Sequence, residues 1–270
     1  MDVVVENLTK SFGYQKAVDS VSFEVKKGEI LGFLGPNGAG KTTTLKIMSC
    51  FLFPDYGNIR IGKYSIHKNP YKIKQIIGYL PEHNPLYEEM NVIDFLDFIA
   101  RVHNIPKYKI IPKVMDMIRM CGLDNEKHKT IRELSKGYRQ RVGFAQALMG
   151  NPQIIILDEP LANLDTHTAH ILLKALRNLA NSGYAVLIVE HRLDVVKNYI
   201  DKVMRIENKQ LFTSTDINDL NSGIKTIPHA DGSLPGEVLI KGEKLFFAAG
   251  DRNIIAVSYT HLRAHETKAN

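Results

Sequence analysis

The stretch that decides the fold lies at residues 35–42 and reads Gly35-Pro36-Asn37-Gly38-Ala39-Gly40-Lys41-Thr42. It matches the phosphate-binding pattern G-x-x-x-x-G-K-[ST] at every specified position. An apolar run precedes it at residues 29–34, and a helical pattern follows at 41–50. This strand–loop–helix order separates a phosphate site from an ordinary glycine-rich turn. We therefore predict that the chain binds a nucleoside triphosphate.

The residue types of this loop suit a phosphate chain. Glycines let backbone N–H groups converge on phosphate oxygens, and the helix that follows presents its positive end to them. We predict that Lys41 reaches the β- and γ-phosphates and that the Thr42 hydroxyl binds Mg²⁺. Thr43, the next residue, completes the predicted phosphate-binding set of residues 35–43.

A second candidate element lies at residues 154–160. The apolar run 154–157 predicts a short strand buried on both faces. Asp158 and Glu159 follow at its carboxyl end, where ligands bind in parallel α/β sheets. Because neighbouring side chains on a strand point in different directions, the two carboxylates can take different roles. We predict that Asp158 holds Mg²⁺ through water and that Glu159 polarises the attacking water.

Four more motifs follow the same order along the chain as those of a known family: LPEHNPLY at 80–87, LSKGYRQR at 134–141, LANLD at 161–165 and IVEH at 188–191. From position 3 to about position 210 the chain resembles the ATP-binding subunits of ABC transporters, whose signature is LSGGQ. The sequences at 80–87 and 134–141 are similar to those of gliding-motility-type and related multidrug or polysaccharide exporters of the second ABC-exporter class. The resemblance implies an α/β P-loop NTPase of ABC type. It has a mixed core sheet, an N-terminal antiparallel β-subdomain and a helical signature subdomain at about 84–150.

The resemblance also implies roles for single residues. Phe12 takes the aromatic position that stacks on adenine, with Tyr14 as an alternative, and His191 takes that of the switch histidine. Glu82 stands where the family has its Q-loop glutamine, which contacts Mg²⁺ and the attacking water. The catalytic set is then Lys41, Glu82, Glu159 and His191, and the Mg²⁺ ligands are Thr42, Glu82 and Asp158.

The remaining nucleotide contacts implied by the resemblance come from a second chain. Ser135 and Gly137 belong to the signature, and Asp165 ends the D-loop. In the family this surface faces the γ-phosphate bound to the opposite subunit, so that two chains sandwich two ATP molecules. Independently of the family, Ser135 is a good N-cap for a helix through residue 146, and a capped helix N-terminus favours anions.

Three positions depart from the family pattern. Lys136 replaces the first glycine of the signature and Tyr138 its glutamine, which we interpret as tolerated variation. Glu82 is the more consequential change. A carboxylate still binds Mg²⁺, but it adds negative charge near ATP and cannot donate a hydrogen bond unless it is protonated. Its role in this chain is left open.

Composition restricts the function further. The 270-residue chain has a net charge of +6, but its Lys and Arg residues form no basic tract interleaved with aromatics, so we expect no nucleic-acid partner. No run of about 18 apolar residues predicts a membrane span, and the first residues lack the pattern of a signal peptide. Cys50 and Cys121 match no ligand spacing and are predicted to be reduced, buried thiols.

We predict three parts along the chain. Residues 1–213 form the nucleotide-binding domain, and residues 214–257 form a small β appendage, truncated near residue 257. Residues 258–270 resemble translated sequencing-adapter sequence and are interpreted as a non-native tail.

The resulting hypothesis is an ATP-hydrolysing subunit that powers an exporter. It would lie on the cytoplasmic face of the inner membrane, docked on a separate permease subunit and paired with a second copy of itself. A translation-associated ABC ATPase would need two nucleotide domains in one chain. A chromosome or repair ATPase would need long heptads between the P-loop and the signature. A small-molecule kinase would lack the signature and the D-loop. The transported substrate is not encoded in this chain.

Overall fold

The structure is a computed structural model that describes residues 1–162, 164–207, 210–214, 238–241, 244–249 and 253–258. The chain divides into two compact units, Met1–Thr213 and Ser214–Asn270. The first unit contains a four-stranded sheet, a six-stranded sheet and a group of helices. The second contains a three-stranded sheet.

The four-stranded sheet is antiparallel and has the order β2-β1-β4-β5. Its strands are β1 (Val3–Phe12), β2 (Gln15–Val25), β4 (Tyr56–Ile61) and β5 (Tyr64–Ser65). The apolar runs at residues 3–5 and 21–25 lie within β1 and β2. Phe12 pairs with Gln15 across a two-residue turn in which Gly13 has a φ of 57°. This turn positions the end of β1 beside the start of β2.

The six-stranded sheet forms the centre of the unit, in the order β10-β9-β3-β8-β7-β6. Its strands are β3 (Ile30–Leu34), β6 (Ile77–Leu80), β7 (Ile154–Asp158), β8 (Ala185–Val189), β9 (Lys202–Glu207) and β10 (Gln210–Ser214). β3 pairs in parallel with β8 and β9, and β7 pairs in parallel with β6 and β8. Every residue of β3, β7 and β8 is buried, which explains their continuous apolar runs.

Four helices border the sheets: α1 (Lys41–Met48), α2 (Pro70–Ile76), α6 (Thr166–Asn181) and α7 (Leu193–Val196). α7 ends at Val196 because the chain turns there, and the Tyr199 N–H donates to the Val196 carbonyl at 2.9 Å. Asp201 then accepts from the Ile30 N–H at 2.8 Å and leads the chain into β9.

A helical lobe lies at residues 92–149, within the predicted range of about 84–150, and begins later than predicted. It contains α3 (Val92–Val102), α4 (Lys107–Met120), a 3₁₀ turn (Ile131–Glu133) and α5 (Lys136–Met149). The apolar faces of α3 and α4 are buried at Phe95, Leu96, Val114, Met117 and Ile118. Val102, the last residue of α3, is 58% exposed.

α5 continues three residues beyond the predicted position 146. Cys50 and Cys121 are buried free thiols, as predicted. Within the described ranges no helix is both long enough and apolar enough to cross a lipid bilayer.

The second unit is described only through β11 (Val238–Lys241), β12 (Lys244–Ala249) and β13 (Asn253–Ser258). They form an antiparallel sheet in which β12 pairs with both neighbours. The apolar runs at 238–240 and 245–247 both lie on strands, in agreement with the predicted β appendage. Residues 259–270, which make up all but the first position of the predicted non-native tail, lie outside the described residues.

Candidate functional site

The loop between β3 and α1 has a backbone that only glycine accommodates. Gly35, Gly38 and Gly40 have φ values of 149°, 79° and 96°. A Cβ atom on Gly35 would lie 2.6 Å from the Ile206 carbonyl oxygen, and one on Gly40 would collide with the carbonyl of Ala17. The glycines of the motif therefore allow both a left-handed backbone and a close approach to neighbouring chain.

Lys41, the first residue of α1, is held inside this loop. Its Nζ donates to the carbonyl oxygens of Gly35 at 2.8 Å and Pro36 at 3.1 Å, and the residue is 7% exposed. Burial lowers the pKa of Lys41, and the carboxylates of Glu159, Asp158 and Glu82 oppose this shift. The loop thus holds a buried cation among three carboxylates.

Asp158, the last residue of β7, is 1% exposed. Its Oδ2 is buried and has no hydrogen-bond partner within the described part of the chain. Burial raises the pKa of this carboxyl, the Thr42 hydroxyl lowers it by hydrogen bonding, and the charges of Glu82 and Glu159 raise it further. A carboxylate oxygen without a partner, beside a hydroxyl, suits a hard cation that prefers oxygen ligands.

The described residues contain no ready-made metal cluster of three or more His, Cys, Asp or Glu side chains. Mg²⁺ at nucleotide sites is bound by one or two carboxylates together with water and substrate phosphates. The oxygens of Thr42, Asp158 and Glu82 fit such an incomplete ligand set.

Glu159 and His191 form a close pair. Glu159 has a left-handed backbone with a φ of 52°, and its N–H donates to the Val189 carbonyl at 2.9 Å, which turns the chain at the end of β7. The Glu159 Oε1 lies 2.9 Å from the His191 Nε2. On the other side, the Gln140 Nε2 donates to the Glu159 carbonyl at 3.3 Å. Strained backbone of this kind is concentrated at functional sites.

Glu190 fixes the loops around this pair. It is 5% exposed, and its carboxylate accepts from the backbone N–H groups of Leu161 at 2.7 Å and His191 at 3.3 Å. Burial raises the pKa of Glu190, although the backbone donors oppose the shift. The carboxylate therefore ties the start of the 161–165 segment to the strand end that carries His191.

A cavity of about 600 Å³ brings most of the predicted site residues together. Its walls include ten of them: Phe12, Asn37, Gly38, Gly40, Lys41, Thr42, Thr43, Glu82, Glu159 and His191. Two further lining residues, Gln15 and Ala17, were not predicted. Both follow the β1–β2 turn, and recognition of this hairpin in the sequence would have placed Gln15 opposite Phe12.

The aromatic residue on this wall is Phe12, whose side chain is half exposed, with the Lys10 Nζ 5.8 Å from the ring centroid. Asp55 fixes the end of β1 by accepting from the Lys10 Nζ at 2.8 Å and the Ser11 N–H at 2.7 Å. Tyr14, the alternative aromatic residue, is fully exposed in the turn.

The other predicted contacts, Ser135, Gly137 and Asp165, line a second cavity of about 580 Å³. Ser135 caps α5 by accepting from the Tyr138 N–H at 3.4 Å, as its sequence position predicted. Asp165 caps α6 by accepting from the Thr168 N–H at 2.9 Å and hydroxyl at 2.7 Å, and these donors lower the pKa of Asp165. Position 163 of this segment lies outside the described residues.

Comparison with known proteins agrees with this geometry. The family model described as ABC transporter matches residues 18–162. An ABC transporter ATP-binding protein of Methanocaldococcus jannaschii is 34% identical over 230 residues, which cover 85% of this chain and 83% of the relative. The Nod factor export ATP-binding protein I of Ralstonia nicotianae is 31% identical, over 76% of this chain and 64% of the relative. A solved ATP-binding subunit of an ABC transporter superposes with a TM-score of 0.75 at 26% identity, covering 82% of this chain and 92% of that one.

The fold and the site define an ATP-binding cassette with the ATPase architecture. The chain belongs to the ABC transporter family. The α/β fold predicted from the sequence, with its antiparallel β-subdomain and helical lobe, is confirmed.

Proposed function

We propose that this chain is the ATP-hydrolysing subunit of an ABC exporter and that it works as a homodimer. It would dock on a separate permease subunit at the cytoplasmic face of the inner membrane. The observation that carries the proposal is the division of the site between two cavities of one chain. One holds Lys41, Glu159 and His191, and the other holds Ser135 and Asp165.

The first cavity supplies nucleotide binding and the reacting groups. The backbone N–H groups of residues 35–43 and the Lys41 ammonium bind the phosphates, because both offer donors to a strongly charged anion. Phe12, with its exposed ring at the cavity wall, stacks on the adenine. Phe12 is preferred to Tyr14 because Phe12 lines the cavity.

Glu159 and His191 act on the attacking water. Glu159 accepts a proton from this water while the water oxygen bonds to the γ-phosphorus. At the same time the bond between the γ-phosphorus and the bridging β–γ oxygen breaks. His191, 2.9 Å from the carboxylate, orients the water and donates toward the γ-phosphate. Glu190 maintains this arrangement through the His191 N–H.

Thr42, Asp158 and Glu82 would hold Mg²⁺ with the nucleotide. When bound, the ion neutralises charge on the phosphate oxygens. The carboxylate at Glu82 would serve as a ligand in place of the family's glutamine, and its position between the nucleotide cavity and the helical lobe would let it transmit closure toward a permease.

The second cavity would complete the site of another copy. The N-terminus of α5, with Ser135 as its cap, offers donors to the γ-phosphate of the ATP held by the opposite chain, and Asp165 lies beside Ser135 on the same surface. A two-fold pairing then builds two equivalent ATP sites from four half-sites, as symmetric interfaces require. Hydrolysis removes the shared γ-phosphate and releases the pair.

A complementation experiment tests the shared site. Lys41→Ala removes the ammonium that binds the phosphates, and Ser135→Arg places a bulky cation on the surface offered to the partner. Neither variant alone should hydrolyse ATP. In a one-to-one mixture, half of the random pairs are mixed. Each mixed pair has one site with Lys41 and Ser135 both intact, so roughly a quarter of the wild-type activity per chain should return.

The controls separate the alternatives. A mixture of Lys41→Ala with Glu159→Gln should stay inactive, because the intact Lys41 then belongs to the chain that lacks the base. If each chain formed a complete site by itself, the first mixture would remain as inactive as its parts, and the dimeric mechanism would be wrong.

Two observations support the exporter assignment. The motif sequences at 80–87 and 134–141 are similar to those of gliding-motility and multidrug exporters, and one relative is a Nod factor export protein. The test of this assignment is transport by the chain co-reconstituted with a membrane-spanning permease that it binds. With ATP outside the vesicles, an exporter accumulates substrate inside them. Release of preloaded substrate under the same conditions would identify an importer.

A further inference from the structure

Arg141, on α5, contacts three separate parts of the chain. Its Nη2 donates to the Thr168 hydroxyl oxygen at 3.0 Å, and its Nη1 donates to the Gly122 carbonyl at 3.2 Å. The guanidinium also lies over the ring of Tyr138, 4.8 Å from the ring centroid. A planar guanidinium can stack on an aromatic face while its edge donates hydrogen bonds in fixed directions.

The contact with Thr168 continues into the D-loop. The Thr168 hydroxyl accepts from Arg141 and donates its own hydrogen to the Asp165 Oδ2 at 2.7 Å, while the Thr168 N–H donates to the Asp165 Oδ1 at 2.9 Å. The chain of donors therefore has one direction, from guanidinium to hydroxyl to carboxylate. Hydrogen bonds linked in this way strengthen one another.

The ring of Tyr138 restricts the Arg141 guanidinium from the side of the signature turn. Tyr138 is partly buried against the core of the helical lobe, and its N–H donates to the Ser135 hydroxyl at 3.4 Å. Its ring thus restricts the guanidinium from the same turn of helix that carries the signature serine. Tyr138 occupies the signature position where the family has glutamine, and glutamine offers no ring face for stacking.

We infer that the Tyr138–Arg141 stack is a positioning device that fixes the signature turn relative to the D-loop, so that Ser135 and Asp165 meet the second copy as one preformed surface. The inference rests on the proposed function, since it assumes that this surface faces the partner's nucleotide. Tyr138 and Arg141 act through other residues and are not assigned contact with the reacting atoms.

Preorganisation makes a specific prediction. If the stack only packed the helical lobe, its loss would lower the unfolding temperature and leave ATP-driven pairing of the folded chains unchanged. If it positions the two segments, its loss weakens pairing while the nucleotide affinity of the single chain stays the same, because the first cavity contains neither residue.

The experiment uses the full chain with Glu159→Gln as the parent, since blocked turnover preserves the ATP-bound pair. The dissociation constant of the pair is measured by sedimentation with MgATP, and the nucleotide affinity by titration of dilute chain. Tyr138→Phe keeps the ring, and Tyr138→Leu keeps apolar volume but removes the π face. Arg141→Lys keeps the positive charge but loses the planar guanidinium that stacks on the ring. Tyr108→Leu is the matched control, because Tyr108 is an exposed tyrosine on α4 with the Lys109 Nζ 5.5 Å from its ring.

We expect Tyr138→Leu and Arg141→Lys to weaken pairing about tenfold, within the range of a desolvated cation–π contact, at unchanged nucleotide affinity. Tyr138→Phe and Tyr108→Leu should match the parent. Equal pairing in the parent, Tyr138→Leu and Arg141→Lys would overturn the positioning role. If Tyr138→Leu unfolds, Arg141→Lys decides, because it leaves the ring in place. A parent that never pairs with MgATP would contradict the proposed function instead.

Discussion

Asp158→Asn should stabilise the nucleotide-free protein while it abolishes Mg²⁺-dependent turnover. The Asp158 carboxylate is almost fully buried, and its Oδ2 lacks a partner in the described part of the chain. Burial, Glu82 and Glu159 all raise its pKa, so the ionised form is disfavoured in the folded state. An amide of the same size removes this charge, and its NH₂ group can donate toward the neighbouring carboxylates.

The magnitude follows from the unsatisfied oxygen. A buried polar group without a partner costs about 1–3 kcal/mol, and the amide recovers part of that cost. We expect the unfolding free energy to rise by about 1 kcal/mol, which raises Tm by about 2–4 °C for a domain of this size. Below the unfolded-state pKa of 3.8 the carboxyl is protonated in both states. The rise in unfolding free energy caused by Asp158→Asn should therefore be complete at neutral pH and shrink as the pH falls through the raised pKa of Asp158.

The assay is urea unfolding at several pH values, without nucleotide, together with ATPase measurement. Asp201→Asn is the matched control, because Asp201 Oδ2 accepts from the Ile30 N–H at 2.8 Å and from Arg177 at 2.7 Å. That variant should lose stability at neutral pH. If Asp158→Asn also loses stability, or retains Mg²⁺-dependent turnover, the reasoning about the unpartnered oxygen is refuted.

Three further substitutions test the first cavity. Lys41→Ala should weaken ATP binding about 10- to 100-fold in calorimetric titration, because it removes hydrogen bonds from a charged group. The control Lys46→Ala, on the exposed side of α1, should leave the affinity unchanged. Equal affinities of the two variants would remove Lys41 from the site. His191→Ala should lower turnover about 10²-fold, as loss of a transition-state donor does, without changing nucleotide affinity; unchanged turnover would count against its role. Glu82→Gln should keep basal hydrolysis within a few-fold, since an amide oxygen remains a Mg²⁺ ligand, whereas identical permease stimulation of wild type and Glu82→Ala would remove its coupling role.

The parts of the site that could be predicted from the sequence are those encoded by short stretches. The P-loop needs specified residues at fixed spacing between a strand and a helix, and Asp158 follows an apolar run whose burial on both faces is visible as continuous hydrophobicity. Ser135 was recognisable as a cap because capping involves residues three positions apart. Such local patterns carry their own structural meaning.

The contacts that could not be predicted join distant positions. Glu190 accepts from the backbone of Leu161, and Arg141 donates to Thr168 and to Gly122. These partners lie 19 to 29 residues apart in the chain, and only the packing of α5 and β8 against their neighbours brings them together. No local pattern marks such pairs, since each residue alone resembles an ordinary surface charge.

The measurement that tests the central claim most directly is the mass of Glu159→Gln in solution with MgATP, determined by light scattering alongside its turnover. We expect twice the 30.5 kDa of one chain, with turnover about 10²- to 10⁴-fold below wild type, because the amide cannot accept the proton of the attacking water. Removal of ATP should return the single-chain mass. A chain that stays single with MgATP and hydrolyses it at the wild-type rate would contradict both the assignment of Glu159 and the shared site.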